Sequence, residues 1–344
     1  MRMRGRLRWL LVSVGAAASC VHQPELRGPL ATRNQHPAQL LVGHLGPTSA
    51  RVLPAGDVSV RGDAAYTSLF LFGADAGGSW FMDGEVLRAS AAASYGVGGG
   101  IEVGVAVPVA HAGGGFLDSF LIDYHDWFGL PDQDRSALPR DAFRVDASRP
   151  GESVWSMEPH GLELMDIPVS LSWQVAPPGE RAVGIKLRGA VDLPAGDAGR
   201  GYGNGELDVA LGAVAEYWRD GIGYTVHAQH AFAGSPATSR RRGFTFEDVS
   251  AAGVALELPV HEDWNVLVQV EWESSTLRNL GPRVAANDQA LLWVGGRWTP
   301  DPSWSLEFSF GEDLLEQASP DFTAWLGMEW RLGWGAQGRA TRSL

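Results

Sequence analysis

Several features are scarce in this sequence, and each scarcity excludes a class of protein. The 344 residues contain a single cysteine, Cys20, which excludes a disulfide-built scaffold and a metal site made of several thiolates. No run of about eighteen apolar residues exists, so a polytopic helical membrane protein is excluded. The formal net charge of -13 argues against sequence-independent binding of phosphates, and we expect no nucleic-acid partner.

What the sequence does contain is apolar and small. Hydrophobic residues make up 45% of the chain, with 44 glycines and 14 tryptophans. This composition excludes general disorder and suffices for two ordinary soluble domains or one large barrel.

The first nineteen residues have the pattern of an export signal. Arg2, Arg4, Arg6 and Arg8 precede an apolar run over 9–18 that is too short to span a bilayer. We therefore predict an export signal over 1–19.

Cys20 falls where a signal peptide would be cleaved. Ala17-Ala18-Ser19-Cys20 resembles the lipobox of bacterial lipoproteins, whose cysteine is acylated, although Ala17 stands where leucine is usual. Lipidation of Cys20 and an ordinary secreted chain with an incidental cysteine both stay open. Residues 20–56 are proline-rich without periodicity, which predicts an extended periplasmic segment.

From about residue 58 onward, apolar and polar side chains alternate with the period of a β-strand. Val103, Val105 and Val107 share one face of such a segment, while Glu102 and Gly104 share the other. The pattern predicts twelve strands, near 61–72, 81–95, 101–109, 162–175, 183–193, 206–217, 222–232, 248–260, 264–273, 288–298, 304–310 and 322–332.

The polar faces of these strands carry ionisable groups in mid-strand, and the opposite faces carry almost none. A soluble β-sandwich turns its apolar faces inward, whereas a membrane barrel turns them to lipid and its polar faces to the lumen. Aromatic residues at strand ends, such as Trp264 and Trp272, favour the barrel. The predicted lumen-facing residues are Glu102, Lys186, Arg188, Asp192, Glu206, Asp208, His227, Gln229, Glu257, Gln269, Glu271, Glu307, Glu329 and Arg331.

The lengths of the connections alternate with strand parity. Connections after even-numbered strands are short, and those after odd-numbered strands are mostly long, as in barrels with tight periplasmic turns and long external loops. Because hydrocarbon offers no partner for an open strand edge, the sheet must close. We therefore predict an all-β protein, a closed antiparallel transmembrane β-barrel of about 12 strands over 57–334, with a C-terminal tail over 335–344 and both termini in the periplasm.

Residues 116–128 break the alternation, because their apolar residues recur at helical spacing before Gly129 and Pro131. We predict a short amphipathic helix in the longest external loop. It could cap the barrel mouth, fold into the lumen as a plug, or lie on the rim covering apolar surface. Candidate residues of this loop are Asp118, Asp123, His125, Asp126 and Arg135, of which Asp123, His125 and Asp126 could ligate a cation or act in acid–base catalysis, or simply be surface groups.

The same segment resembles a known family. Gly114-Gly115-Phe116-Leu117-Asp118-Ser119-Phe120, the run from Tyr124 to Pro131, and Arg135 resemble the signature of family 3187 in the domain-of-unknown-function series. The resemblance in strand layout covers roughly residues 40–333. It implies an envelope-associated bacterial barrel and supplies no mechanism.

The sequence gives little sign of catalytic chemistry. It has neither a Gly-x-Ser-x-Gly elbow nor a phosphate-binding glycine loop, and the lumen-side Ser170 and Ser172 lack a histidine in matching register. We expect no enzyme, no metal and no cofactor. The favoured function is an outer-membrane channel or transporter for a small or lipophilic solute, or a passive envelope component. Outer-membrane lipid, the barrel assembly machinery and a small solute are the expected partners. A membrane-embedded lipid-modifying enzyme and a Cys20-anchored periplasmic binding β-sandwich are the alternatives.

Overall fold

The computed structural model describes residues 25–128, 135, 138–315, 319–320 and 322–333. Strands dominate this part of the chain. They are β1 (Val58–Ala74), β2 (Ser79–Gly98), β3 (Ile101–Gly113), β4 (Arg144–Arg149), β5 (Glu152–Met157), β6 (His160–Leu164), β7 (Ile167–Ala176), β8 (Gly184–Leu193), β9 (Asp208–Arg219), β10 (Ile222–Phe232), β11 (Val249–His261), β12 (Trp264–Glu273), β13 (Gln289–Asp301), β14 (Trp304–Asp313) and β15 (Phe322–Leu332).

Within the described residues, twelve of these strands form a closed antiparallel barrel. Consecutive barrel strands pair with one another, and β1 pairs with β15 from Val58↔Leu332 to Ser68↔Phe322, which closes the ring. This confirms the predicted fold. The short strands β4 and β5 were missed, because they lie inside the predicted long loop, and the strand predicted near 162–175 is divided into the short β6 and the barrel strand β7. The three short strands extend β2 and β3 beyond the barrel wall.

The barrel turns its apolar side chains outward. Val103, Val105 and Val107 are exposed on the outer face, and Val105 is 42% exposed. Lys186, in mid-strand on the opposite face, is only 2% exposed. The predicted inversion of faces is therefore correct. The β-sandwich alternative is wrong, because the valine-rich rows face away from the interior rather than packing together.

The two ends of the barrel differ in the lengths of their connections. Turns such as 99–100, 220–221, 262–263 and 302–303 define the short-turn end, as the parity pattern predicts. The opposite, long-loop end carries β4 to β6 and the helices. Those are α1 (Asp118–Phe128), α2 (Ala237–Arg241) and α3 (Arg283–Ala286). None of the described helices is long and apolar enough to cross a membrane.

Aromatic side chains border the outer face at both ends. At the short-turn end, Trp298 lies 6.1 Å from Trp264 and 5.2 Å from Trp304, measured between ring centroids. At the long-loop end, Phe310 and Phe322 stack at 5.9 Å. These bands are the interfacial girdles expected of a transmembrane barrel.

Residues 25–53 lie inside the barrel, which corrects this part of the periplasmic segment predicted over 20–56. Residues 25–53, which we call the plug, contact the lumen wall throughout their length. An ascending arm over 25–35 runs from the short-turn end, an apex over 36–42 sits at the long-loop end, and a descending arm over 43–53 returns to β1. Apart from a short 3₁₀ turn, Gln39–Leu41, the plug is irregular. Its backbone groups therefore need partners, which the polar lumen supplies.

The predicted export signal over 1–19, Cys20, and the tail over 335–344 lie outside the described residues, so those expectations stay predictions.

Candidate functional site

The ascending arm of the plug is held by side chains of the lumen wall. The backbone N–H groups of Arg27 and Gly28 donate to Glu257 on β11 at 2.9 and 2.7 Å. Further along, the N–H of Leu30 donates to the side-chain oxygen of Gln269 on β12 at 3.0 Å. These are charge-assisted and neutral hydrogen bonds from an irregular backbone to a rigid wall.

The apex is fixed by polar contacts at its edges. Asn34 donates to the side-chain oxygen of Gln289 at 2.5 Å, and Gln39 donates to the backbone carbonyl of Ser274 at 2.8 Å. Gln39 also hydrogen-bonds Glu273 at the end of β12. The guanidinium of Arg33 donates to carbonyls of the apex itself, including that of Val42 at 2.7 Å. The turn is thereby locked to itself and to the wall.

The centre of the apex is apolar and fully buried. Its residues Leu40, Leu41 and Val42, with Leu45 at the start of the descending arm, belong to one hydrophobic cluster that fills the long-loop half of the lumen. Wall residues from β1 and β2 and residues of the external loops complete that cluster. They include Leu69, Trp80, Met82, Val154, Trp155, Phe244, Phe246, Leu277 and Leu280. The barrel is closed at this end by a packed core shared between plug, wall and loops.

His36 lies within this closed end. Its ring stacks on Trp80 with centroids 5.1 Å apart. Neither ring nitrogen of His36 has a hydrogen-bond partner among the described residues. Burial alone lowers the pKa of His36 to about 3, so the imidazole is neutral at physiological pH.

The descending arm repeats the pattern of backbone amides bound by wall carboxylates. The N–H of Gly43 donates to Asp208 at 2.9 Å, that of Ala50 to Glu216 at 2.7 Å, and that of Leu53 to Glu102 at 2.8 Å.

Cations of the wall bind carbonyls of the same arm. Lys186 donates to the carbonyl of Arg51 at 3.2 Å, and Arg188 donates to that of Gly46 at 2.5 Å. Both kinds of backbone group are thus satisfied by the ionised lumen.

The short-turn half of the lumen contains a network of buried ion pairs. Arg297 contacts Glu257 at 2.5 Å and Glu307 at 2.7 Å, and Arg61 contacts Glu307 at 2.6 Å. Arg297 also donates to the plug carbonyls of Gly28 and Pro29, both at 2.9 Å. The network links four wall strands, β1, β11, β13 and β14, to the ascending arm.

Beside this network the plug leaves space. A cavity of about 210 Å³ lies between the plug and the wall in the short-turn half. Charged residues of both signs line it, including Arg27, Arg51, Arg61, Glu102 and Glu307. The lumen is therefore packed at one end and partly hollow at the other.

The structure places most of the predicted lumen residues against the plug or in this network. His227 and Glu271 pair with each other at 2.9 Å, and Gln229 accepts a hydrogen bond from the N–H of Leu45. Glu329 and Arg331 pair at 3.1 Å near the ascending arm.

Two predicted lumen residues need separate comment. Asp192 is buried in the lumen near Gly43. Glu206 precedes β9 in a long loop, where it pairs with Arg240 at 2.5 Å, so it does not lie on a strand face as its alternation suggested.

The predicted helix over 116–128 is present as α1, beginning two residues later. Asp118 pairs with Arg135 at 2.6 Å, and Asp123 is exposed. The side chains of His125 and Asp126 lie outside the described residues, so the alternatives given for them, ligands or catalytic groups against plain surface groups, stay open. α1 does not enter the lumen; the plug is the N-terminal segment instead.

Sequence reasoning missed the plug residues and one polar pair on the outer face. A cluster of apolar residues, Leu40-Leu41-Val42 and Leu45, interrupts the proline-rich segment and was the available signal for a buried apex. On the outer wall, His230 hydrogen-bonds Ser250 at 2.9 Å across β10 and β11, which only the strand register reveals.

A closed barrel with an apolar belt, aromatic girdles and a polar, plugged lumen defines a transmembrane β-barrel of the outer-membrane type. Comparison with known proteins agrees. The profile of the family described as "Protein of unknown function (DUF3187)" matches residues 7–332, and the chain belongs to that family. None of the curated proteins compared with the chain matches it.

Solved structures support the fold. An outer-membrane channel, COG4313 from Pseudomonas putida F1, is similar with a TM-score of 0.53 and 10% identity, over 84% of this chain and 100% of that chain. The porin NanC matches with a TM-score of 0.43 and 6% identity, over 79% and 98%. The toluene transporter TodX of P. putida matches with a TM-score of 0.37 and 10% identity, over 81% and 89%. At 10% identity, the similarity to the P. putida F1 channel shows the fold alone. The TM-scores of NanC and TodX are too low to support any argument.

Proposed function

We propose that the protein is an outer-membrane channel for small solutes that its own N-terminal segment holds closed. One observation carries the proposal: residues 25–53 fill the lumen while binding the charged and polar side chains that line it. An exported N-terminus enters the barrel from the periplasm, so the short-turn end faces the periplasm. Outer-membrane lipid and the barrel assembly machinery are then its partners.

The plug is suited to removal because of how it is held. Its contacts with the wall run from backbone groups to side chains, as in Ala50 to Glu216, rather than through a strand ladder. Each such bond can be exchanged for one to water, and its net contribution is about 0.5–1.5 kcal/mol for a neutral partner and about 1.5–3 kcal/mol for a charged one. Displacing the plug also hydrates carboxylates and guanidinium groups that would otherwise stay buried.

The lumen wall favours a small polar solute. Once the plug leaves, Glu216, Glu257, Gln269 and Arg297 would line the path with both signs of charge. Such a lining favours a hydrated route over an apolar one. We infer that the protein conducts rather than catalyses, and the structurally similar protein from P. putida F1 is itself described as an outer-membrane channel.

A reversible tether tests the proposal. A Cβ at Gly43 would lie 3.1 Å from the Asp208 Cβ, close to the spacing of a disulfide after a small adjustment. The double variant Gly43→Cys with Asp208→Cys, in a Cys20→Ser background, should conduct in planar bilayers when reduced and lose conductance when oxidised. The two single-cysteine variants, treated with the same oxidant, are the controls.

Two results would overturn the proposal. An equal, non-zero conductance in the oxidised and reduced double variant would mean that the plug does not gate a path. No conductance in any reduced protein, including one lacking residues 25–53 that still shows the heat-modifiable gel shift of a folded barrel, would favour a passive envelope component.

A second candidate, hydrolysis of lipid esters at the outer wall, is favoured by one observation. Ser250 Oγ lies 2.9 Å from His230 Nδ1, and His230 Nε2 lies 3.8 Å from a carboxylate oxygen of Asp248. The strand register puts Ser250 and His230 on the same face as the exposed Val226 and Val254. A serine, a histidine and a carboxylate in that order resemble the groups of acyl-transfer enzymes.

Serine-directed labelling decides this candidate. A fluorophosphonate probe should label the wild-type protein in detergent, and Ser250→Ala and His230→Gln should abolish labelling. The lumen-side Ser172→Ala is the matched control and should label normally. An unlabelled wild-type protein would remove the candidate.

A further inference from the structure

The loop that carries α1 lies against the outside of the barrel wall. The ring of Phe116 stacks on Tyr66 of β1 with centroids 5.5 Å apart. Arg135 donates to Ser68 at 3.3 Å, and its guanidinium lies 4.5 Å from the ring centroid of Phe70. Tyr66, Ser68 and Phe70 share the strand face of the exposed Val60, which points away from the lumen.

This loop covers polar as well as aromatic wall. Asp83 and Glu85 lie opposite Phe70 and Ser68 in the β1–β2 register, so they too point outward, yet both are buried. Glu85 accepts hydrogen bonds from the N–H groups of Phe116, at 2.9 Å, and Leu117, at 2.5 Å. The loop therefore covers two outward carboxylates in addition to the apolar surface that a rim helix was expected to cover.

α1 and the residues just before it carry large aromatic side chains that are mostly exposed. Phe116, Phe120 and Trp127 are 70%, 58% and 86% exposed. Within α1, helical spacing places Phe120, Asp123 and Trp127 on one face, while Leu121, 5% exposed, lies on another, and Phe116 precedes the helix. Three large exposed aromatic groups are a costly surface to present to water.

The level of these aromatic side chains along the barrel axis can be read from the strand register. Tyr66 lies opposite Ala324 in the β1–β15 register, and Ala324 lies opposite Phe310 in the β14–β15 register. Phe310 belongs to the girdle at the long-loop end, so Phe116 stacks on the wall at the level of that girdle. The aromatic face of α1 is therefore continuous with the lipid-facing belt.

We propose that α1 is an interfacial helix whose exposed aromatic side chains, Phe120 and Trp127 together with Phe116 just before it, are immersed in outer-leaflet lipid at the boundary between headgroups and acyl chains. Aromatic side chains favour that depth, and a helix lying in the interface buries one apolar face there. Asp118 at the start of the helix, together with Arg135 farther along the same loop, keeps the outward carboxylates of the wall away from hydrocarbon. The inference rests on the membrane-barrel fold and does not depend on channel activity.

Depth-dependent fluorescence quenching tests this placement. Trp127→Cys in a Cys20→Ser background is labelled with an environment-sensitive fluorophore and refolded as the full chain into phosphatidylcholine vesicles containing lipids spin-labelled near the headgroup or deep in the chain. We expect blue-shifted emission and several-fold stronger quenching by the shallow label than by the deep one. Arg241→Cys, on the exposed α2 in another external loop, is the control and should show water-like emission with little quenching.

Two outcomes would overturn the inference. Water-like emission and weak quenching at position 127, in a sample that shows the heat-modifiable shift of a folded barrel, would place the helix in solvent. Efficient disulfide formation between unlabelled Trp127→Cys chains in the bilayer would show that a second copy covers the aromatic face instead of lipid.

Discussion

The two halves of the lumen are closed by different physical chemistry. In the long-loop half, the plug apex joins wall and loops in a packed apolar cluster around Leu41 and Trp80. In the short-turn half, ion pairs around Arg297 and Glu257 hold the ascending arm beside a cavity of about 210 Å³. The same segment is thus sealed at its turn and ionically bound along its arms.

The two halves therefore have different roles: one seals the lumen, and the other fixes the position of the plug along the wall. Burying an aliphatic side chain contributes about 1.5–3 kcal/mol, so several leucines at the apex make a strong seal. A buried ion pair gains little over its desolvation cost, but breaking one by removing a partner is costly. We infer that the apex keeps the channel shut and that the charged half fixes where each plug residue lies.

The largest expected effect comes from placing a charge in the seal. Leu41 is 2% exposed within the apolar cluster, and Leu41→Asp would bury a carboxylate there, which costs several kcal/mol. We expect conductance in planar bilayers to rise at least tenfold.

The matched control for that variant is in the other half. Val52 lines the polar cavity, where water can solvate a new carboxylate, and Val52→Asp should leave conductance almost unchanged. If the two variants conducted equally, the apex would not be the seal.

The next largest effect should be local to the ascending arm. Glu257→Gln keeps the shape of the side chain but removes the negative charge that accepts hydrogen bonds from the N–H groups of Arg27 and Gly28 and pairs with Arg297. Breaking a buried ion pair costs about 3–5 kcal/mol. Amide hydrogen exchange of residues 25–31 should accelerate more than tenfold while conductance stays low. An open channel in this variant would contradict the division between the two halves.

Acid should weaken the seal through His36. Its pKa is lowered to about 3 in the closed state, whereas a solvated histidine has a pKa near 6.5. The closed state therefore keeps its full stability above about pH 6.5 and loses it as the pH falls towards 3, by up to about tenfold in population per pH unit. Open probability measured from pH 7 to 4.5 should rise accordingly.

The control for this pH dependence is His36→Phe, which keeps the ring against Trp80 without a titratable group. Its open probability should be nearly independent of pH over the same range. A wild-type slope that persists in His36→Phe would assign the effect to other groups.

The smallest effect is expected at the entrance of the plug. Glu25 pairs with Arg51 at 3.1 Å, and both side chains are about one quarter exposed. A partly solvated pair contributes about 1 kcal/mol or less, so Glu25→Gln should change exchange of the ascending arm by less than about fivefold. An effect as large as that of Glu257→Gln would remove the distinction between buried and exposed pairs.

Local periodicity made the barrel predictable, and its absence hid the plug. Alternation in segments such as 101–109 reports directly which side chains share a face, and loop parity then orders the strands. Residues 25–53 have no period, because their backbone bonds go to distant side chains such as Glu257 and Asp208. Contacts of this kind leave no spacing in the sequence.

The candidate site shows the same limit. The predicted lumen residues could be assigned to a face, but not to the plug groups that they bind. The strand register turns Asp83 and Glu85 outward. Only the assembled structure shows that the loop carrying α1 covers them. The cross-strand partner of a residue, as for His230 on β10 and Ser250 on β11, likewise appears only in the assembled barrel.

Both arms of the plug leave the barrel at the short-turn end, and this determines how it would respond to tension. A pull on residue 25 from that side would load the bonds of Arg27 and Gly28 first and the apex last. The segment would unzip contact by contact instead of shearing all of them together, so a modest steady force from inside the envelope would suffice to withdraw it.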